Sequence, residues 1–316
     1  MEALEIVRET LEIKNEVKKG NKNKSFKFKY LTTKDKQEIF ILGQYFVENN
    51  KNKCSLIIDD NINCELRDKY TFDKKGEHSA TLIVNEESVN FSCLFNFYFL
   101  EKINLLQAGE LAIKTGIELT FHNNTLVEFL QKENNLIDTS SLINLDTSEF
   151  TDLSCMFCCC SKIKDFNFVK NWNVSKCKNF TGMFKCCNFT NLDFLSKWDL
   201  SNATSLSLMF EFCSYLNDIK GIKNWNVKNV EYFHAMFDYC KSLTDANDLQ
   251  NWDMSKAKDI GTMFHLCINL KTVDSLYKWK LNDEVNKTDV IKGCNKLLNI
   301  PSIFKNTTSS SSCIIY

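Results

Sequence analysis

The stretch W-D-L-S-N-A-T-S-L-S-L-M-F-E-F-C at 198–213 returns in altered form as W-D-M-S-K-A-K-D-I-G-T-M-F-H-L-C at 252–267. Both belong to a series in which a Trp opens each unit, a Met-Phe pair follows eleven residues later and a Cys closes it. The series has Trp at 172, 198, 225, 252 and 279, so equivalent positions lie 26 or 27 residues apart. A fixed period of this length predicts an array of repeat units that bury their apolar sides against one another.

Apolar or small residues recur at fixed distances from each Trp and are expected to face inward. In the first full unit they are Val174, Cys177 and Phe180, followed by the Met-Phe pair and Cys187. The W-x-[VLM] triplet alternates with period two, as in a short strand, whereas M-F-x-x-C favours a helical turn. The predicted fold class is therefore α/β: a leucine-rich-repeat-like solenoid of about eight coils with short parallel strands, in which each Trp lies over the next.

The repeats resemble the W-D-V-S-N-V-T-x-M-x-x-M-F-x-x-C unit of the BspA-like leucine-rich-repeat surface proteins of bacteria and protists. The resemblance covers roughly 89–304, and the unit departs from it where Asn173, Asn226 and Lys280 replace the Asp after Trp. The resemblance implies surface adhesion or host contact, as for some members of that family. Those members carry export signals that are not found in this sequence.

Four regions are expected along the chain. Residues 1–24 read as an amphipathic N-terminal helix. Residues 25–88 contain strand-like runs between turn-rich segments and predict a small antiparallel β cap domain. The repeat array spans 89–304, and 305–316 form a flexible Ser-rich tail. An independent binding module is the alternative for 25–88.

Composition limits the function classes. The chain has 316 residues and a formal net charge of −1, which argues against a nucleic-acid or acidic-membrane footprint over the whole molecule. The N-terminal sequence has no apolar core run, so it predicts neither a signal peptide nor a membrane span. We therefore expect a cytoplasmic, monomeric protein.

Fifteen cysteines suggest a zinc or redox site around Cys155, Cys158 and Cys186. The repeat alignment explains most of these cysteines as inward-facing residues, because a buried free Cys behaves as a small hydrophobe. Only Cys158 falls at a polar position of the repeat. No His and no second C-x-x-C stands at ligand spacing, so neither a metal nor another cofactor is expected.

No motif for catalysis is found in the sequence, and a non-enzymatic protein is predicted. The polar residue after each Trp is the candidate for binding a protein partner. These residues form one predicted row: Asn173, Asp199, Asn226 and Asp253. A solvated strand face without a binding role is the alternative for this row.

The tail ends in Cys313-Ile314-Ile315-Tyr316, which resembles a prenylation box with an unusual terminal Tyr. Lipidation of Cys313 would give reversible membrane association, and an ordinary frayed tail is the alternative.

The predicted function is protein–protein interaction or scaffolding, with an unidentified protein as the partner and no nucleic acid. Two alternatives stay open: a surface or secreted adhesin exported by another route, and a cysteine-rich metal or redox protein.

Overall fold

The computed structural model describes residues 24–86, 89–95, 136–138, 140–163 and 165–305. The predicted N-terminal helix at 1–24, apart from Lys24, lies outside these residues, as do the first part of the predicted array at 96–135 and the tail beyond Lys305. The chain divides into two compact units, Met1–Ser141 with Phe157–Lys162 and Leu142–Met156 with Ile163–Tyr316.

The first unit is built on antiparallel strands. A five-stranded sheet has the order β4-β3-β6-β1-β7, and β2 pairs with β5 in a separate two-stranded sheet. The strands are β1 (Lys24–Thr32), β2 (Gln37–Phe40), β3 (Cys54–Ile58), β4 (Ile62–Glu65), β5 (Lys69–Phe72), β6 (Gly76–Val84) and β7 (Leu136–Asp138). The helix α1 (Gln44–Asn50) follows β2.

Buried apolar residues alternate with partly exposed lysines along β1, as expected for a strand with one face in the core. Phe26, Phe28 and Tyr30 are buried, while the lysines between them face the other side, as the two-residue period of a strand requires. The Tyr30 hydroxyl donates to the Ile41 carbonyl at 2.5 Å, so its polar atom is satisfied inside the core.

The second unit is built from turns and short 3₁₀ helices. The 3₁₀ helices lie at Ser140–Asn144, Asn167–Val169, Asp193–Leu195, Lys220–Ile222, Asn247–Leu249, Asp274–Lys278 and Ser302–Phe304, and the first of them spans the boundary between the two units. Successive repeats meet through single-residue parallel bridges, including Asn179 to Ser205, Ser205 to Tyr232 and Tyr232 to Asp259. Each repeat therefore lies beside the next at the spacing that the 26- or 27-residue period predicts.

Backbone hydrogen bonds between repeats run in one direction along the M-F-x-x-C segment. The N–H groups of Phe180, Gly182, Phe184 and Cys186 donate to carbonyls of the following repeat at 2.8 to 3.0 Å. Every fourth residue of this segment has a positive φ, as at Gly182 (62°) and Cys186 (60°). These left-handed residues, which are uncommon outside glycine, turn alternate N–H groups toward the next repeat.

The core of the repeats contains an aromatic column. We define the phenylalanine column as Phe184, Phe210, Phe237 and Phe264, the Phe of each Met-Phe pair. Consecutive rings are 6.1, 5.5 and 5.6 Å apart and nearly parallel. The positions expected to face inward are buried, Val174, Cys177 and Phe180 among them, so that prediction is confirmed.

The predicted fold class is wrong. Within the described residues, all the strands of more than one residue are antiparallel, and there is one α-helix. The W-x-[VLM] triplet is neither strand nor helix and lies between two turns, and bridges of one residue each do not make a parallel strand. The protein is therefore not a leucine-rich-repeat solenoid of parallel strands. The first and third residues of a triplet can be buried in irregular backbone as well as in a strand, so the alternation did not distinguish the two.

Candidate functional site

The predicted partner-binding residues lie together on the surface of the second unit. Asn173, Asp199, Asn226 and Asp253, which we call the corner row, are all exposed, and each follows a buried Trp. Because they occupy the same position in consecutive repeats, the structure places them in a line along the array. The partners of this row are not part of the structure, so its binding role stays a prediction.

Each member of the corner row also shapes the backbone. Its Oδ1 atom accepts the N–H of the residue two positions later, at 3.2 Å from Ser175, 2.9 Å from Ser201, 3.5 Å from Lys228 and 3.1 Å from Ser255. This is an Asx turn, in which a short side chain takes the place of a backbone carbonyl. The Asp or Asn after Trp therefore has a structural use, while its second polar atom remains on the surface.

The hydrogen bonds of Asp253 also affect its charge. The hydroxyl and N–H of Ser255 hold the pKa of the Asp253 carboxyl below its usual value of 3.8, because both donors favour the ionised form. Asp253 is therefore an anion at neutral pH, and the corner row contains both charged and neutral acceptors.

The tryptophans fix the corner row to the preceding repeat. Each indole Nε1–H donates to a carbonyl 29 or 30 residues earlier, as from Trp198 to Val169 and from Trp225 to Leu195, both at 3.0 Å. Trp172, Trp252 and Trp279 make the same bond at 3.0, 3.2 and 2.9 Å. The rings of Trp225 and Trp252 stack with their centroids 6.3 Å apart. A buried indole needs such an acceptor, so the Trp position sets the spacing between neighbouring repeats.

The repeat cysteines form a second set of contacts between repeats. The thiols of Cys213, Cys240, Cys267 and Cys294 lie 2.9 to 3.2 Å from the carbonyl of a Phe in the preceding repeat. Burial raises the pKa of the Cys294 thiol to about 12 and holds those of Cys240 and Cys267 well above their usual range. The thiols of Cys240, Cys267 and Cys294 are therefore protonated hydrogen-bond donors in the core.

The structure places Cys158 in the core, which the polar character of its repeat position did not indicate. It was expected at a polar position, but it is fully buried, with its Sγ 3.7 Å from that of Cys159. All fourteen cysteines in the described residues are free thiols. Among the same residues, no three His, Cys, Asp or Glu side chains are placed to hold a metal ion.

A row of charged residues was not singled out from the sequence as a site. At the position two residues before the closing Cys, Lys185 forms an ion pair with Glu211, and Asp238 lies 2.9 Å from His265 Nδ1. Burial raises the pKa of Glu211, and Lys185 opposes this shift. The repeat alignment already showed that this column was polar, but its burial follows only from the packing of neighbouring repeats.

Cys313, the predicted lipidation site, lies outside the described residues, and its modification stays a prediction. No helix in the described part of the chain has the length and apolar character to cross a membrane.

The geometry defines a protein of consecutive turn-built repeats, and comparison with known families agrees. A model of the family described as Mycoplasma protein of unknown function, DUF285, matches residues 124–221 and again 187–304. These matches cover more than half of the chain, and the protein belongs to this family. The predicted repeat character is therefore confirmed, whereas a specific assignment to the BspA-like leucine-rich-repeat proteins is not shown. Comparisons with curated proteins and with solved structures gave no match.

Proposed function

We propose that the protein is a non-enzymatic interaction protein that binds a protein partner along the corner row of its repeats. The observation that carries the proposal is the line of exposed Asp and Asn side chains, each held by an Asx turn. Because the turns fix the side chains before binding, less conformational entropy is lost when a partner docks.

The same atoms that hold the backbone leave polar groups for a partner. In Asn173 and Asn226 the Oδ1 atom accepts the turn hydrogen bond, and the amide Nδ2 group can donate to other acceptors. In Asp199 and Asp253 the second carboxylate oxygen can accept. The row thus offers alternating donors and acceptors.

Cross-linking of the full chain in extracts of its own cells, followed by mass spectrometry, tests this proposal. Partner cross-links should map beside the corner row and should fall when Asp199→Ala and Asp253→Ala are combined. Asp218→Ala with Asp245→Ala is the matched control, because these residues make the same Asx turn elsewhere in the repeat. Equal loss of cross-links in both double variants would contradict a binding role for the corner row.

A surface location is the second proposal, and it carries the adhesin alternative. It is supported by the resemblance of the repeats to BspA-like surface proteins and by the family match. Treatment of intact cells with a membrane-impermeant amine label tests it, since this chain has many exposed lysines. Labelling only after lysis would favour the cytoplasmic location expected from the sequence.

A further inference from the structure

The corner row lies within a lysine-rich part of the repeats. We define the lysine edge as the five segments around the tryptophans: 170–178, 196–204, 223–231, 250–258 and 277–284. The lysine edge contains ten lysines and five acidic residues, whereas the whole chain has a net charge of −1. Positive charge is therefore concentrated on the edge where partner binding is proposed.

Fewer than half of these ten lysines have a side-chain hydrogen bond or ion pair within the described structure. Some form an ion pair with a carboxylate of the preceding repeat. The Lys258 Nζ lies 2.7 Å from Glu231, and the Lys176 Nζ lies 2.6 Å from Glu149. Six exposed lysines have side chains that make no hydrogen bond or ion pair with any described residue: Lys170, Lys178, Lys197, Lys223, Lys228 and Lys280. These side chains contribute little to stability and are available to an anionic partner.

The lysine edge is firmly held even though its lysines are exposed. The Trp of each segment is 3 to 5% exposed and is hydrogen-bonded to the preceding repeat. Consecutive lysine-bearing segments are thus fixed side by side, and their charges act together on a partner that follows the array.

The residue types of the lysine edge disfavour three classes of anionic partner: phosphate-rich ligands, lipid bilayers and single-stranded nucleic acids. Its cations are all lysines, which act as point charges and lack the paired donors with which arginine recognises phosphate. The aliphatic side chains of the edge are buried or half-buried, so none is placed to insert into a bilayer. Its exposed aromatic residue is Tyr277, at one end, which does not make a platform for stacking successive bases.

The acidic residues within the edge favour a partner of moderate charge density. Asp199 and Asp253 stand among the lysines and would repel a dense polyanion. A protein segment carries carboxylates between neutral residues, and its backbone carbonyls can accept from the amides of Asn173 and Asn226. Resting on the proposed function, we infer that the partner presents an acidic protein segment, rich in Asp and Glu, to the lysine edge.

Fluorescence anisotropy with the full chain tests this inference. The probe is a labelled peptide of alternating Glu and Ala, with the Gln–Ala peptide as its neutral control. The Glu–Ala peptide should bind, and binding should weaken as salt rises, because exposed charges are screened beyond about 8 to 10 Å at physiological ionic strength. The triple variant Lys197→Gln, Lys223→Gln, Lys228→Gln should bind it about tenfold more weakly.

A matched triple variant controls for total charge. Lys51→Gln, Lys75→Gln and Lys271→Gln remove three exposed lysines outside the edge and should leave binding unchanged. Equal weakening in the two triple variants would overturn the inference. It would also fail if heparin, an oligonucleotide or phosphatidylglycerol vesicles bound to the edge and the Glu–Ala peptide did not.

The cross-linking experiment separates this inference from the proposed function. If a cellular partner maps to the corner row but its binding is insensitive to salt and to the lysine variants, the acidic-segment inference is wrong and the proposed function stands. If no partner maps there, both are wrong.

Discussion

The Trp225 indole offers the sharpest test of how neighbouring repeats hold together. Its ring is 5% exposed, stacks on Trp252 at 6.3 Å and lies 6.5 Å from the ring of Phe210. Its Nε1–H donates to the Leu195 carbonyl at 3.0 Å. Replacing Trp225 by Phe keeps an aromatic ring in the core but removes the hydrogen-bond donor.

The two parts of the contact can be separated by two variants. The Leu195 carbonyl also accepts the Trp198 N–H at 3.1 Å, so Trp225→Phe removes one of its two hydrogen bonds. The loss of that bond and the smaller ring together should lower the free energy of unfolding by about 1 to 3 kcal/mol. Trp225→Ala also creates a cavity and should cost ~3 to 5 kcal/mol. The difference between the variants measures the ring packing.

Urea denaturation followed by far-ultraviolet circular dichroism is the assay, because Trp fluorescence would change with the substitution itself. Tyr215→Ala is the control: this aromatic residue is 60% exposed, and its loss should change the free energy of unfolding by less than about 0.5 kcal/mol. A Trp225→Phe protein as stable as the original would refute the idea that the indole N–H holds the repeats together.

Three further predictions follow from burial, charge and backbone geometry. Iodoacetamide at pH about 8 should label the half-buried Cys64 before Cys240, whose thiol is fully buried with a raised pKa, and early modification of Cys240 would contradict its place in the core. The pKa of Glu211 is raised, so its contribution to stability is complete below its ordinary pKa of 4.5 and is lost as pH rises through the higher folded-state pKa. Glu211→Gln should flatten that loss in urea titrations between pH about 4 and 7, and an unchanged slope would count against the shift. At Gly221 an added Cβ would lie 2.3 Å from the Leu192 carbonyl oxygen, so Gly221→Ala should lower the thermal midpoint by several degrees, about 1 kcal/mol or more, whereas a wild-type midpoint would show that this close approach is not maintained.

The sequence predicted the parts of the fold that depend on which residues are apolar. The period, the inward positions and the burial of the repeat cysteines follow from a pattern in which Val174, Phe180 and Cys187 recur at fixed distances. The strand assignment failed because Asn173 and its equivalents hold Asx turns, and turn residues can alternate in burial as strand residues do. The positive φ of Cys186 and Leu208 was also hidden, since neither residue type signals a left-handed conformation.

For the candidate site, the sequence predicted which residues are polar but not the hydrogen bonds that they make. Aligned repeats identified the corner row as polar, and the structure places it at the surface. Its use as a set of Asx turns depends on a side-chain oxygen reaching an N–H two residues ahead, which residue type alone does not fix. The pairing of Lys185 with Glu211 required knowledge of which repeats are neighbours and how deeply the column lies.

The repeating hydrogen bonds between units bear on how such a chain can change in length. Along the M-F-x-x-C segment each unit donates N–H groups to its successor, as between Phe180 and Ser205. Other N–H groups donate in the opposite direction, as from Thr204 to the Lys178 carbonyl. A gene duplication or deletion of one whole unit of 26 or 27 codons preserves every such junction, and a difference of one residue between units is already accommodated at Trp198, whose indole reaches back 29 residues instead of 30. Alleles of this gene should therefore differ by complete units, and the length of the lysine edge would vary with them in steps.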